Sequence, residues 1–81
     1  MGNDEILSRI NVLIRDVFDE DDLVVHNDTI AEDVDAWDSA NHIRLMIAIM
    51  EEFHIEFKGS EIAAPENVGE LVELVASKLK P

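Results

Sequence analysis

In the stretch Asp38-Ser39-Ala40-Asn41-His42-Ile43-Arg44-Leu45-Met46-Ile47-Ala48-Ile49-Met50-Glu51-Glu52-Phe53-His54, apolar side chains recur at helical spacing behind two residues suited to an N-cap. The spacing predicts a helix over 39–54. At about 100° per residue, Leu45, Met46, Ile49 and Phe53 share one side. Ile43, Ile47 and Met50 form a second stripe, about 90° or more away. One stripe seats a bundle helix, whereas a helix apolar on most of its circumference is central or has a second client. A chain of 81 residues has little material to bury such a helix all round. Either a loop or short helix covers the second stripe, or the stripe is a docking patch for another protein.

Outward from this helix the pattern stays helical. Ile6, Ile10, Leu13, Ile14 and Val17 predict a first helix over 4–18, with Asn3 or Asp4 as N-cap. The run Asp19-Glu20-Asp21-Asp22 opposes the negative end of the helix dipole and helps to stop it. Residues 20–37 show no sustained period. They read as a long structured loop whose apolar residues (Leu23, Val24, Val25, Ile30, Val34, Trp37) dock on the core. Loops of that length in compact domains are often functional. A single turn of helix is expected around Ser60–Ala64, ended by Pro65. Asn67 with Glu70 makes a capping-box-like start for a last helix over 67–79, apolar at Val68, Leu71, Val72, Val75 and Leu79. The expected fold is all-α. It is a small antiparallel four-helix bundle, three helices longer and one short, with a long loop between the first two, in a single domain over 1–81.

Composition narrows the function. Six basic residues against nineteen acidic ones give a formal net charge of −13. Nucleic acid and anionic membrane would be repelled by such a surface. No Lys or Arg occurs from Asp16 through Ile43, a stretch that holds ten of the nineteen acids. That block is either a plain solvated face or a lure for proteins with basic patches. There is no cysteine, so any thiol chemistry must come from a cofactor. The longest apolar run, Leu45 to Met50, is too short to span a bilayer. The N-terminus has no signal-peptide pattern, and Ile6 breaks a myristoylation motif. A soluble cytoplasmic protein, acting as a monomer, is the expectation. A chain this short buries only roughly 60–65% of its unfolded surface and has little room for a deep catalytic pocket.

Trp37-Asp38-Ser39-Ala40-Asn41-His42-Ile43, followed by Glu51-Glu52-Phe53-His54-Ile55-Glu56-Phe57, resembles the Asp-Ser-Leu motif and following helix of acyl carrier proteins. The resemblance extends over essentially the whole chain, including the acidity, the long first loop and the closing Asn67-Val68-Gly69-Glu70-Leu71. It implies that Ser39 carries 4′-phosphopantetheine, taken from CoA, through a phosphodiester. It implies that Asp38 flanks the site as cap and recognition residue, and that the helix from Ser39 faces partner enzymes through Ile43, Arg44, Ile47, Met50 and Glu51. Those partners would be a phosphopantetheinyl transferase, an acyl-loading ligase or acyltransferase, and a ketosynthase or other acyl-using enzyme. The carrier itself would be no enzyme. Ala40 stands where the family usually has Leu, which is expected to loosen packing beneath the attachment site or to suit a different partner. Arg44 and Met50 replace residues often acidic in carriers of fatty acid synthesis. These departures point to a specialised pathway, such as a secondary metabolite (a polyketide, for example), a modified lipid or an acylated polysaccharide. An aminoacyl or peptidyl carrier is the alternative, although Ala36-Trp37-Asp38-Ser39 lacks the Gly-Gly-x-Ser approach usual there. An acidic interaction module that carries nothing is the other.

Other constellations are weaker. Asp38, Ser39 and His42 lie too close on one helix for a hydrolase triad, and no oxyanion hole is evident. Asp33, Asp35 and Asp38 are spaced like part of a calcium loop, but Asp38 stands where glycine is required and Arg44 where the bidentate glutamate belongs. Asp38 and His42 alone are too few ligands for a metal site. His26 and His54 are isolated, Trp37 reads as a loop anchor, and Leu71 and Val75 are core positions that could part to shelter an acyl chain.

Overall fold

The structure is a computed structural model that describes residues 1–79. It contains α1 (Asn3–Phe18), a 3₁₀ turn (Ala31–Asp33), α2 (Ser39–Phe53), α3 (Gly59–Ile62) and α4 (Val68–Leu79), with no strand among the described residues. The all-helical reading and the four helices agree with the sequence pattern. Helix α1 packs against both α2 and α4. Its stripe Ile6, Ile10 and Ile14 is fully buried against Leu45, Met46 and Ile49 of α2 and Val68, Leu71, Val72 and Val75 of α4. Each such side chain contributes about 1.5–3 kcal/mol when removed from water. The first stripe of α2 is thus core, as its spacing requires.

Helix ends differ from expectation in instructive ways. The N-cap of α1 is Gly2, with no side-chain cap bond, rather than Asn3 or Asp4. Both of those residues lie inside the first turn, where Asp4 and Glu5 complement the dipole. The helix stops at Asp19 in the left-handed conformation (φ 54°), with the Glu20 N–H bonded to the Arg15 carbonyl at 3.0 Å. Backbone closure, rather than charge alone, ends α1. His54 ends α2 in the same way (φ 56°), and the Ile55 N–H returns to the Met50 carbonyl. At α4, Asn67 Oδ1 accepts from the Glu70 N–H at 2.8 Å as a cap should. The return bond to Glu70 comes from the Glu66 N–H instead of Asn67, so the box is one residue wider.

The long first loop is held both by apolar docking and by polar tethers. Val25 and Val34 are buried, and Leu23 and Trp37 half-buried, but Val24 and Ile30 are exposed. Asn11, a buried polar residue in the middle of α1, accepts from the Val25 N–H (2.7 Å) and donates to the Val25 carbonyl (3.0 Å). Arg15 Nε donates to the Leu23 carbonyl at 2.8 Å. Further along, the Asn27 and Thr29 carbonyls accept from the Gly69 and Val68 N–H groups at 2.7 and 2.9 Å. The loop therefore caps the first turn of α4, satisfying donors that have no intrahelical partner.

Candidate functional site

Ser39 is the first residue of α2 and is exposed. Asp38 precedes it in extended conformation and is the N-cap, its Oδ1 accepting from the Asn41 N–H at 2.8 Å. The Asp38 carbonyl accepts from the His42 N–H at 2.8 Å. The N–H groups of Ser39 and Ala40 lie in the first turn, where the helix supplies no acceptor. The Ser39 hydroxyl thus sits at the positive end of a helix dipole, a setting that favours an attached or bound phosphate. Ala40 is exposed, so its small side chain loosens no core packing beneath Ser39, contrary to one expectation from the sequence.

Trp37 anchors the end of the loop. Its ring meets Phe18 edge-on, with centroids 5.5 Å apart at 67°, and stacks on His42 at 6.2 Å and 25°. The indole Nε1–H donates to His42 Nδ1 at 3.0 Å. Because an indole only donates, Nδ1 must accept, which puts the imidazole proton on Nε2. That nitrogen donates to the Ile62 carbonyl at 2.7 Å. One histidine therefore ties the loop, the start of α2 and the end of α3 together. From sequence, His42 has no role beyond two weak catalytic and metal readings. Its partners are distant in sequence and chosen by the fold. Among the described residues no three His, Asp or Glu side chains converge as a metal site would need.

A cavity of about 330 Å³ opens beside Ser39, lined mainly by Ala31, Trp37, Ile43, Ile62 and Ala63. Helix α3, whose Ile62 lines it, is tied to α4 by the Lys78–Glu61 ion pair at 2.7 Å. The hydrogen bond from Lys78 lowers the Glu61 carboxyl below its ordinary value, helped by the Lys58 backbone N–H.

The other residues named from the sequence lie along α2. Ile43 and Ile47 are 46% and 47% exposed, so neither the loop nor α3 covers them. Glu51 is exposed too. Arg44 is exposed and donates to Asn41 Oδ1 at 2.9 Å, while Asn41 Nδ2 holds the Ala36 carbonyl at 2.8 Å. Met50 departs from this set. It is half-buried and its sulfur accepts from the Phe57 N–H at 3.3 Å, because the chain turns back at His54 and lays residues 55–57 over it.

No family model matches the chain. Among solved structures, it is similar to the solution NMR structure of a holo acyl carrier protein from Geobacter metallireducens. The two superpose with a TM-score of 0.83 at 38% sequence identity, over 90% of this chain and 84% of the other. The chain belongs to the acyl carrier protein family. It is therefore built as a carrier rather than an enzyme. In this acyl carrier protein Asp38 and Ser39 stand at the head of α2, a helix with one face buried in the core and the other exposed. No helix among the described residues is long and apolar enough to cross a membrane.

Proposed function

We propose that Ser39 bears 4′-phosphopantetheine and that the cofactor thiol holds acyl groups as thioesters for transfer between enzymes. The observation that carries this reading is the exposed Ser39 hydroxyl at the capped N-terminus of α2 in a chain of this family. The residues fit the group. An uncrowded hydroxyl, a positive helix end and an adjacent cap suit a phosphodiester. Loading forms a bond from Ser39 Oγ to the phosphorus that bears the pantetheine arm in CoA. It breaks the pyrophosphate bridge and releases adenosine 3′,5′-bisphosphate, with the serine proton passing to the transferase. The cofactor supplies the thiol that the cysteine-free sequence lacks. Co-expression with a phosphopantetheinyl transferase should raise the intact mass by one phosphopantetheine, and Ser39→Ala should abolish the rise. An unmodified wild-type chain would leave only an acidic interaction module.

The partner-facing surface in this reading is the exposed row Ile43, Arg44, Ile47 and Glu51, with Met50 at its half-covered edge. The transferase, an acyl-loading ligase or acyltransferase, and a ketosynthase would meet it in turn. The apolar pair and Arg44 support a dedicated carrier for a specialised pathway rather than the general fatty acid one. If the organism's housekeeping ketosynthase used this carrier as well as its standard one, that assignment would fail.

A further inference from the structure

The groove beside Ser39 does not stand alone. A second cavity, of about 430 Å³, lies between the 3₁₀ turn and the α3–α4 connection, with Pro65, Glu66, Asn67 and Leu71 in its lining. Ala31, Trp37 and His42 line both cavities. These three residues border both openings, and two of them are held in place by contacts of their own. Trp37 is wedged on Phe18 and bonded to His42, and His42 is bonded to the Ile62 carbonyl. The near groove is mainly apolar, whereas the far cavity mixes apolar side chains with Thr29, Glu32, Glu66 and Asn67.

We propose that the Trp37–His42–Ile62 partition limits the acyl group sheltered beside Ser39 to a short aliphatic one by closing off the second cavity. The proposal rests on the carrier reading above. A short chain lies against Ile43, Ile62 and Ala63 without disturbing the partition. A longer chain shelters only its first carbons there; it must either leave the rest in water or displace His42, which breaks both of its ring hydrogen bonds and leaves the indole N–H and the Ile62 carbonyl without partners. His42 acts here as a specificity-determining residue through its position, with no part in bond making.

The test uses the full-length protein loaded from hexanoyl-, decanoyl- and tetradecanoyl-CoA by a phosphopantetheinyl transferase, with loading checked by intact mass. Thioester cleavage by hydroxylamine reads shelter directly. In wild type, the half-life should be the same for the decanoyl and tetradecanoyl forms as for the hexanoyl form. In His42→Ala, the longer acyl forms should be protected several-fold more than the hexanoyl form. Trp37→Phe keeps the aromatic ring but removes the indole N–H, and should show the same trend if His42→Ala does not fold. Protection that climbs with chain length in wild type, or variants that match wild type, would overturn the proposal while leaving the carrier reading intact. Failure of any acyl group to load would sink both.

Discussion

Asn11 grips the main chain of Val25 at both of its polar groups, accepting from its N–H at 2.7 Å and donating to its carbonyl at 3.0 Å. An amide side chain in the core of a helical bundle thereby does for the loop what a neighbouring strand does in a sheet. Both partners are buried, so losing Asn11 strands a donor and an acceptor away from water. Asn11→Ala should cost about 2–4 kcal/mol, read as a lower urea midpoint with an unchanged slope.

Gly69 reports on the other end of the loop. A Cβ there would lie 2.9 Å from the Asn27 carbonyl oxygen, and that atom belongs to the backbone and cannot swing aside. Helix propensity alone favours alanine over glycine by about 0.5–1 kcal/mol. Gly69→Ala should nevertheless destabilise, by about 1–3 kcal/mol as overpacking does. Gly59→Ala is the control, since a Cβ at Gly59 meets nothing within 4 Å. Thermal melts that stabilise both variants alike would show that the loop yields freely.

The Glu61–Lys78 pair predicts a pH dependence. The carboxyl pKa is lowered in the folded protein, first by the Lys78 hydrogen bond. Its contribution is therefore present above the ordinary value of 4.5 and is lost as pH falls through the lowered folded value. Glu61→Gln should melt below wild type at neutral pH, and the difference should shrink to nothing in strong acid. A gap that persists there would assign the effect to packing.

Asp38 combines a cap with a charge, and two substitutions separate them. Asp38→Ala should lose about 1 kcal/mol of stability with the bond to the Asn41 N–H. Asp38→Asn keeps an acceptor and should hold stability within a few tenths of a kcal/mol. If the carboxylate also serves recognition by the transferase, Asp38→Asn should still slow the mass gain at Ser39. Equal loading rates for Asn and wild type would reduce Asp38 to a cap.

Ile47 tests the partner face. It is half exposed, so Ile47→Ser should change stability by no more than about 0.5 kcal/mol. Acyl transfer to a partner enzyme should nonetheless fall, through a higher KM for the carrier. An unchanged KM would move the docking face elsewhere.

Much of the fold was legible in the sequence because helical periodicity is a local signal. Most of the buried positions of α1, α2 and α4 follow from spacing, as does Ser39 at a helix start behind a capping Asp38, although Leu13, Val17 and Leu79 are only half-buried and Asn11 and Phe18 join the buried face of α1. Local signals misjudged the N-cap of α1, because the chain entered the helix one residue early at a glycine that offers no side-chain cap. They also overestimated the docking of Val24 and Ile30, since an aperiodic segment does not say which way each residue faces.

The sequence by itself determined an acidic, cysteine-free, all-helical chain with an available serine at the head of an amphipathic helix, because composition and period need no partner to be read. Only the tertiary structure decided what surrounds that serine. The Trp37–His42–Ile62 chain joins positions 5 and 20 residues apart, and Asn11–Val25 joins positions 14 apart. Hydrogen bonds of that kind depend on how the loop is laid across the bundle, and no periodicity encodes them. The same packing separated Met50 from Ile43 and Ile47, covering one end of a stripe that looks continuous in sequence.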